Sequence, residues 1–395
     1  MNSWQLSPTE TEALLNFLQR LVQTPSLPGQ EGAVAALVQA EMQRLGFAGV
    51  NMDSAGNVSG RVGNDSGPTL LLNTHMDTVT VAEPGRWKVD PWSAEVQQGR
   101  LYGLGSCDMK GGLAAAVYGA AHLLRTGAPL AGQVVVATVG LEEPAEGVGT
   151  RAFLEESGLH PQWVVIAEPS DLQVVRAQRG HLEIQLTLQG KSAHSARPEL
   201  GENAIYAAAR VIFGLEILAE QLAEDPFLGT GVLAVTDIRS HAVSRNAIPE
   251  RCELIIDRRL TVGETEALAL AEIQRVIARE GVRAAVAVIE EEVRTHTGKV
   301  LRARRASPSW ALDEHHPLIT AMLQAARDVN LHPGLSKWHF ATEGAYTAGV
   351  AHIPTVGFGP GDPNLAHTCN ENVPLEQVYS AAGAYAALAA RLLRP

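Results

Sequence analysis

The chain has 395 residues, of which 46% are hydrophobic and 19% charged, and its formal net charge at pH 7 is -12. This composition excludes a disordered or fibrous protein and is sufficient for two domains with separate cores. The acidic balance argues against nucleic acid as a partner, and the one dense basic run, residues 302–305, is short enough to be a solvated loop.

The cysteine content and the N-terminal sequence both predict a cytoplasmic protein. Cys107, Cys252 and Cys369 are too few and too scattered for a disulfide framework, so we expect a reducing compartment. Residues 1–12 have neither the basic flank nor the apolar core of a signal peptide. The longest nearly apolar stretch, residues 113–124, is shorter than the roughly 20 residues that span a bilayer. No membrane partner is therefore expected.

Apolar periodicity divides the first part of the chain into helices and strands. Apolar residues recur at helical spacing or fill helical stretches in residues 14–22, 34–45, 113–125 and 150–157. Short, continuously apolar runs, typical of strands covered on both faces, occupy residues 69–73, 134–139, 163–167 and, near the C-terminus, 354–358. We predict an α/β domain with a mostly parallel sheet flanked by helices.

Residues 181–294 have a different pattern, in which apolar residues of the first strand alternate with polar ones, as in a strand with one face in water. The predicted order is strand 182–188, helix 202–222, strands 232–238 and 252–260, helix 264–279 and strand 282–289. This β-α-β-β-α-β order is the ferredoxin-like pattern. We predict that residues 181–295 form a domain inserted into a first domain made of residues 1–180 and 296–395.

Histidine and acidic residues follow the predicted strands of the first domain, at His75, Glu142, Glu143, Glu168 and His367. Binding sites in open α/β sheets form beyond the carboxyl ends of the strands. Each residue alone could be a helix cap or a loop charge, but together they supply the nitrogen and oxygen ligands of two divalent cations. Adjacent side chains diverge, so one carboxylate of the Glu142-Glu143 pair can bind metal while the other acts as general base.

Five ordered motifs carry a resemblance to a known family. They are His75-Met76-Asp77, residues 103–112 (GLGSCDMKGG), Glu142-Glu143, Ala167-Glu168-Pro169 and residues 366–371 (AHTCNE). Over nearly its whole length, the chain resembles the dinuclear zinc aminoacylase and carboxypeptidase family, which includes acetylornithine deacetylase, succinyl-diaminopimelate desuccinylase and glutamate carboxypeptidases. The resemblance implies a zinc-peptidase-like catalytic domain with an inserted ferredoxin-like α+β domain that serves as lid and dimerisation domain.

The resemblance also implies roles for individual residues. Asp108 would bridge two divalent cations, for which Zn²⁺ is expected, although carboxylate-rich sites also accept Co²⁺ or Mn²⁺. Glu142 would be the general base, and Asp77 would orient the imidazole of a metal ligand. The other implied ligands are His75 and Glu168 on one cation, and Glu143 and His367 on the other.

The inserted domain carries motifs that resemble the family's lid. In residues 190–198 (GKSAHSARP), His194 would reach the active site of a partner subunit and stabilise the oxyanion, so we expect a homodimer formed through lid helices such as residues 204–222. Asn246 begins the second lid motif and is a candidate for substrate binding. Arg259 takes the place of the family's arginine for the substrate carboxylate. Strand alternation puts Arg258 on the opposite face, where we expect a surface residue.

Two further segments bear on the subgroup. Residues 337–344 (KWHFATEG) and 354–361 (PTVGFGPG) are similar to the hydrolases of this family that are linked to selenium metabolism. Glu343 is a candidate to bind a substrate ammonium group, and a loop carboxylate without a substrate role is the alternative. The Gly-Pro-Gly run shapes the loop before His367 and resembles no phosphate cradle. Cys107 and Cys369 flank ligands, but the ligand set is complete without them, so neither is expected to be a nucleophile.

These motifs together predict a metal-dependent amidohydrolase that cleaves a small N-acyl amino acid or dipeptide-like amide through a metal-bridging hydroxide, with Glu142 as base. Within this class, a deacetylase of acetylornithine type and a dipeptidase or carboxypeptidase are both open. Outside it, the alternative is a catalytically silent relative that serves as a metal-binding dimer scaffold. Such a relative usually loses the base or a ligand, and this chain has kept both, so an enzyme is favoured.

Overall fold

The computed structural model describes residues 4–395, and within them the chain forms eight α-helices and 21 strands. The helices are α1 (Pro8–Val22), α2 (Gly32–Arg44), α3 (Gly111–Thr126), α4 (Val148–Ser157), α5 (Ala204–Ala219), α6 (Glu266–Arg279), α7 (Pro317–Asp328) and α8 (Leu375–Leu392). The strands are β1 (Ala48–Met52), β2 (Val58–Gly63), β3 (Thr69–His75), β4 (Glu95–Gln97), β5 (Arg100–Tyr102), β6 (Gln133–Val139), β7 (Trp163–Ile166), β8 (Val174–Gln178), β9 (Gly180–Gln189), β10 (Glu224–Asp225), β11 (Gly229–Thr230), β12 (Val232–His241), β13 (Arg251–Leu260), β14 (Ala284–Val288), β15 (Glu290–Arg294), β16 (Val300–Arg304), β17 (Ala306–Ser307), β18 (Trp310–Ala311), β19 (Leu335–Trp338), β20 (Thr355–Gly357) and β21 (Asn372–Pro374).

A nine-stranded sheet forms the centre of the first part of the molecule, with the order β1-β2-β6-β3-β7-β20-β8-β18 and with β19 paired to β8. The four strands at its middle, β6, β3, β7 and β20, run parallel to one another, as the apolar runs predicted. The outer strands β1, β2 and β18 are antiparallel to their neighbours. The predicted fold class is therefore confirmed. The antiparallel strands at the edges of the sheet are a feature that the sequence did not predict.

Helices cover both faces of this sheet, which is why every residue of its central strands β3 and β6 is buried. Leu70 and Leu72 of β3 pack into the core that contains α1, α2, α3, α7 and α8. Leu71, between them, points to the opposite face and packs with Phe153 of α4 and with Trp338 of β19. Successive strand residues thus enter two different cores. Among residues 4–395, no helix is both long and apolar enough to cross a membrane.

The second sheet is antiparallel, with the order β12-β13-β9-β14. One of its faces packs against α5 and α6, and Leu182, Ile184 and Leu186 of β9 are buried in that core. The strand order and the two helices on one face have the ferredoxin-like arrangement. Strand β17, which follows residue 295, also pairs with β9, so the chain leaves this sheet along its first strand. We refer to residues 181–295, the predicted inserted domain, as the lid.

The prediction that Arg258 is a surface residue is wrong. Its side chain is 1% exposed and forms an ion pair with Glu264, while its Nη1 donates a hydrogen bond to the backbone carbonyl of Arg259 at 2.7 Å. Arg258 lies on β13 in phase with the buried residues Leu254 and Ile256. Arg258 and Arg259 do lie on opposite faces of β13, as strand alternation predicted. The face that carries Arg258 is the buried one, however, and Glu264 neutralises the charge of Arg258 there.

Candidate metal centre

The predicted site residues lie together at one edge of the nine-stranded sheet. His75 is the last residue of β3, Glu142 and Glu143 follow β6, and Glu168 follows β7. His367 lies in the loop after β20 and has a φ of 60°, a left-handed backbone that non-glycine residues rarely adopt outside constrained sites. Because β3, β6, β7 and β20 are parallel, their carboxyl ends bring these side chains to the same edge.

Asp108 reaches this edge from an irregular turn, Ser106–Lys110, that leads into α3. Gly105, with a φ of 78°, begins the turn. The turn is tied to the end of α1 by the buried ammonium group of Lys110, which donates hydrogen bonds to the backbone carbonyls of Leu21 and Thr24, both at 2.9 Å. Burial lowers the pKa of Lys110 to about 7. These contacts fix the backbone on which the Asp108 carboxylate is carried.

The side chains form two groups that share Asp108. In the first, Nε2 of His75 lies 3.1 Å from Oδ1 of Asp108 and 3.3 Å from Oε1 of Glu168. In the second, Nε2 of His367 lies 2.9 Å from Oε2 of Glu143 and 3.4 Å from Oδ2 of Asp108. Within each group the candidate ligand atoms are all within 4.8 Å of one another. Each group therefore has the size and donor chemistry of a site for a divalent cation, with the two oxygens of Asp108 divided between them.

The site contains more carboxylates than its two histidines could neutralise. Burial, followed by repulsion from Glu168 and Glu143, raises the pKa of Glu142 well above its ordinary value. Burial and then Asp108 raise the pKa of Glu168 to about 8, and burial also raises the pKa of Glu143. Burial would lower the pKa of His75, but the surrounding carboxylates outweigh it and raise that pKa. An excess of buried negative charge is the electrostatic condition that two cations would relieve.

Asp77 contacts both sides of the site. Its backbone carbonyl lies 3.1 Å from Nδ1 of His75, and its carboxylate lies 3.6 Å from the same nitrogen. The carboxylate also accepts hydrogen bonds from the backbone N–H groups of Glu142, at 3.2 Å, and Glu143, at 3.0 Å. Asp77 therefore orients the imidazole, chiefly through its backbone, and holds the Glu142-Glu143 loop with its side chain.

Glu371 is a buried residue of this site to which the sequence motifs assigned no role. Its carboxylate accepts hydrogen bonds from the backbone N–H groups of Gly105 at 2.9 Å, Cys107 at 2.8 Å and Asp108 at 3.0 Å. Burial raises the pKa of Glu371 to about 8, against these three donors. It lies at the end of the 366–371 motif, and this position was the one signal in the sequence that could have identified it.

Cys107 and the glycines near the candidate ligands have packing roles. Cys107 is buried, its Sγ donates to the backbone carbonyl of Asp362 at 3.4 Å, and burial raises the pKa of its thiol. A Cβ atom at Gly359 would come within 2.3 Å of the backbone oxygens of both Ala167 and Glu168. The glycine run thus allows its loop to pack closely against the backbone of Ala167 and Glu168. Its role here is to shape the loop, and not to bind phosphate.

A cavity of about 300 Å³ opens above the two groups. Arg259 of the lid lies in its wall, and its guanidinium donates to both carboxylate oxygens of Asp257, at 2.8 and 2.9 Å. The wall includes both acidic and apolar residues. The lining residues are Asp108, Glu142, Glu143, Glu146, Glu168, Arg259, Phe340, Ala341, Pro363, Ala366 and His367.

Glu343 is not among these lining residues. Its side chain is buried, and its carboxylate accepts hydrogen bonds from the backbone N–H groups of Gly147 and Thr150, both at 3.2 Å, at the first turn of α4. Burial raises the pKa of Glu343 to about 7. The contacts favour the second of the two alternatives for Glu343, a carboxylate that stabilises the start of a helix without binding substrate.

His194 and Asn246 lie side by side in two lid loops. The backbone carbonyl of Asn246 accepts a hydrogen bond from Ser195 at 2.8 Å, and His194 forms an isolated bridge with Ala247. Both side chains are exposed, and neither is among the residues that line the cavity of the same chain. Their placement is compatible with action on another subunit.

The sequence pattern of peptidase family M20/M25/M40 matches residues 71–391, which contain every ligand candidate. The chain belongs to this family. The M20/M25/M40 proteins are metallo-hydrolases that act on amide or peptide bonds, so the predicted enzyme class and the resemblance from which it came are confirmed. The roles of single residues, the metal and the substrate stay predictions.

Two relatives and one solved structure illustrate the family's range. The Escherichia coli K12 protein YgeY, described as uncharacterized, is 34% identical over 95% of this chain and 93% of its own length. Succinyl-diaminopimelate desuccinylase of Gluconacetobacter diazotrophicus is 28% identical over 98% of this chain and 99% of its own. The Bacillus subtilis protein YXEP, a dinuclear metal-binding M20 peptidase, superposes with a TM-score of 0.73 at 18% identity, covering 98% of this chain and 99% of its own.

Proposed function

We propose that the protein hydrolyses the amide bond of a small N-acyl amino acid or dipeptide, using two divalent cations bound by the two groups that share Asp108. The observation that carries this proposal is the division of one carboxylate between two sets of nitrogen and oxygen ligands. His75 and Glu168 would complete one site, and Glu143 and His367 the other. Cations bound there would polarise the scissile carbonyl and make a water molecule more acidic.

In this proposal Glu142 is the general base. It lies in the cavity wall, belongs to neither ligand group, and is held by the hydrogen bond from its backbone N–H to Asp77. Burial, the first cause of its raised pKa, places this carboxylate out of bulk water, where a perturbed pKa is typical of a group that takes part in proton transfer. Glu142 would accept a proton from the attacking water and deliver it to the leaving nitrogen.

The lid would select the substrate. The guanidinium of Arg259 has further N–H donors beyond the two that bind Asp257, and a substrate carboxylate is their natural acceptor. Phe340, Ala341 and Pro363 are apolar lining residues that suit the hydrophobic part of an acyl group or side chain. We further propose that His194, with Asn246 beside it, completes the site of a partner subunit, as an oxyanion donor in a homodimer.

The donor set and the three free cysteines support two finer proposals. Imidazole and carboxylate ligands suit Zn²⁺, with Co²⁺ or Mn²⁺ as substitutes that the same donors accept. The absence of disulfides among the described cysteines is compatible with a reducing compartment, and we propose the cytoplasm.

The test is a turnover screen with defined metal content. N-acetyl, N-succinyl and N-carbamoyl amino acids and dipeptides are offered to protein that contains zinc, cobalt or manganese at a measured stoichiometry. We expect hydrolysis of one substrate class, dependent on about two equivalents of metal. No turnover of any of them by fully loaded protein would overturn the proposal and favour the silent scaffold.

Glu142→Gln is the matched variant for the proposed base. It should bind both cations and lose about 100- to 10,000-fold in turnover, because it removes a proton acceptor and no ligand. Metal content by emission spectrometry, measured on the same sample as the turnover, separates these effects. Substantial residual activity at full metal content would contradict the role of Glu142.

A further inference from the structure

A network of four charged side chains connects the Glu142-Glu143 loop to the lid. Nδ1 of His181 lies 3.6 Å from Oε1 of Glu146, and Nε2 of His181 lies 3.1 Å from Oδ2 of Asp257. Asp257 in turn accepts both hydrogen bonds from Arg259, to Oδ1 at 2.8 Å and to Oδ2 at 2.9 Å. We call these four residues the His181 network. Both of its ends, Glu146 and Arg259, line the catalytic cavity.

The strand register explains how the network forms. His181 is the second residue of β9, where the chain enters the lid, and its direct partner on β13 is Arg259. Directly opposed residues and their diagonal neighbours have side chains on the same face of a sheet, so His181, Arg259 and Asp257 share a face. Arg258, between the last two, points into the lid core instead. The network thus lies where the lid faces the metal centre.

The charges of the network are complementary. Burial would lower the pKa of His181, but the hydrogen bond to Asp257 and the nearby carboxylate of Glu146 outweigh it and raise that pKa to about 9. The same contacts hold the pKa of Asp257 at about 2 and that of Glu146 below its ordinary value, in both cases against burial. An imidazolium therefore lies between two carboxylates, with side chains that are 9% exposed for His181 and 24% for Asp257.

We propose that His181 is a positioning residue that orients Arg259 for the substrate carboxylate by fixing Asp257 between them. One oxygen of Asp257 is shared by the imidazole and the guanidinium, so the direction of the carboxylate determines the direction of the guanidinium fork. His181 also contacts Glu146, which follows Glu142 and Glu143 in the same loop. The imidazole therefore links the position of Arg259 in the lid to the position of that loop. The inference rests on the proposed function, in which Arg259 binds the carboxylate of the substrate.

The competing explanation is a structural ion pair that has no effect on Arg259. The lid contains a control, because Nε2 of His241 on β12 lies 3.1 Å from Oε2 of Glu253 on β13, the strand that also carries Asp257 and Arg259. The side chain of His241 is 42% exposed, and neither residue lines the cavity. A loss that is caused only by removing a histidine–carboxylate pair from this sheet should therefore appear in His241→Gln as well.

The first experiment compares steady-state kinetics of an N-acyl amino acid and its C-terminal carboxamide. His181→Gln should raise KM for the carboxylate substrate about tenfold with a smaller change in kcat, and leave the carboxamide nearly unaffected. His241→Gln should match the wild type. The double variant His181→Gln/Arg259→Gln should be no worse than Arg259→Gln alone, because both changes remove the same interaction. Additive losses, or equal losses with the carboxamide, would overturn the proposal.

Asp257→Asn provides a second route if His181→Gln does not fold. It keeps the shape of the side chain, removes the charge that holds the guanidinium, and should give the same selective rise in KM for the carboxylate substrate. Metal content and circular dichroism of each variant establish that the metal centre and the fold are intact. An Asp257→Asn protein with unchanged selectivity would contradict the proposed path from His181 to Arg259.

A binding experiment separates failure of this inference from failure of the proposed function. N-acetyl-L-methionine and its carboxamide are titrated calorimetrically into metal-loaded Glu142→Gln protein, with and without His181→Gln. A preference for the carboxylate that falls about tenfold in the His181 variant supports the inference even if the wild type hydrolyses no substrate in the screen. Turnover in the wild type together with an unchanged preference would leave the function standing and remove the role of His181.

Discussion

Glu371 supports the turn that carries Asp108 through three backbone hydrogen bonds from a buried position. Glu371→Gln would replace one carboxylate oxygen by an amide group that cannot accept, which leaves at least one buried N–H without a partner. We expect metal affinity to fall about 10- to 100-fold, as is typical when the groups that orient ligands are removed. Competition with a chelator of known affinity measures this effect.

Glu376→Gln is the control for Glu371→Gln. Glu376 is an exposed carboxylate in the first turn of α8, only a short distance along the chain, and it is no part of the metal centre. Its substitution should leave metal affinity at the wild-type value. Equal affinities in the two variants would show that the hydrogen bonds of Glu371 do not control the position of Asp108.

The raised pKa of His181 predicts a pH dependence of stability. Its value of about 9 in the folded protein exceeds the ordinary 6.5, so the stabilisation is complete below about pH 6.5 and is lost as the pH rises through 9. The difference in free energy of unfolding between wild type and His181→Gln should therefore shrink over this window, by at most about 3 kcal/mol. Asp257, Glu146, Glu183 and Arg259 are the charged groups that face the imidazole.

Denaturant unfolding at a series of pH values, on the same metal-free preparations, measures this difference. Asp257→Asn should remove most of the pH-dependent change in unfolding free energy over this window, because Asp257 is the strongest of the groups that raise the pKa of His181. A stability difference that is constant from pH 6 to pH 9.5 would show that His181 is not held as an imidazolium.

At the scale of elements, the ion pair of Arg258 and Glu264 joins β13 to the loop before α6 inside the lid core. Glu264 also accepts a hydrogen bond from the backbone N–H of Thr261 at 2.8 Å. Arg258→Met should destabilise the protein by about 3–5 kcal/mol, because it leaves a buried carboxylate without its counter-charge.

The midpoint of thermal or denaturant unfolding measures the effect of Arg258→Met. Adding Glu264→Gln to it should recover part of the loss, since the carboxylate that was left unpaired is then uncharged. A single variant as stable as the wild type would mean that water or another cation reaches Glu264.

The sequence predicted the elements whose signal lies in local periodicity. Strands β3, β6, β7 and β20 each contain a short apolar run, and β9 alternates, so each could be recognised without knowledge of the fold. Strands β18 and β19 are short and of mixed polarity, and they form because β8 offers two edges to pair with. That pairing depends on contacts between distant parts of the chain, which no local pattern contains.

The same limit applies to the candidate site. His75, Asp108, Glu143, Glu168 and His367 could be proposed because strand ends and ordered motifs mark them, and the structure brings them into two adjoining groups. The partners that orient them are set by tertiary packing. Apart from the place of Glu371 at the end of the 366–371 motif, nothing local distinguishes this residue, which binds a turn far away in the sequence, from Glu343, which stabilises the start of a helix.

At the scale of the whole molecule, the exposed apolar side chains of α5 are the candidate contact surface of the proposed homodimer. Tyr206 and Phe213 are 67% and 65% exposed on the helix face opposite to the lid core, and Ile217 is 48% exposed. His194 lies in the same lid and outside the wall of its own cavity. If each lid serves the other subunit, then activity depends on residues from two chains.

Subunit complementation tests this dependence. Homodimers of His194→Ala and of Glu142→Gln should each be nearly inactive, and the two proteins, unfolded together and refolded or exchanged as a mixture, should recover about a quarter of wild-type activity. The recovered site would combine Glu142 of one chain with the partner's lid. A mixture as inactive as its components, in spite of proven exchange, would place the action of His194 within its own chain.

Strand β20 has a consequence for how the molecule is made. It comes late in the chain, yet it pairs with β7 on one side and β8 on the other, near the middle of the large sheet. Until Thr355–Gly357 leaves the ribosome, the strands that will flank it present open backbone edges, and the entire lid has already been synthesised. Unpaired edges recruit other chains, so the nascent protein passes through a long interval of exposure to aggregation. Truncations before Thr355 should therefore accumulate as insoluble material rather than as a shortened native fold.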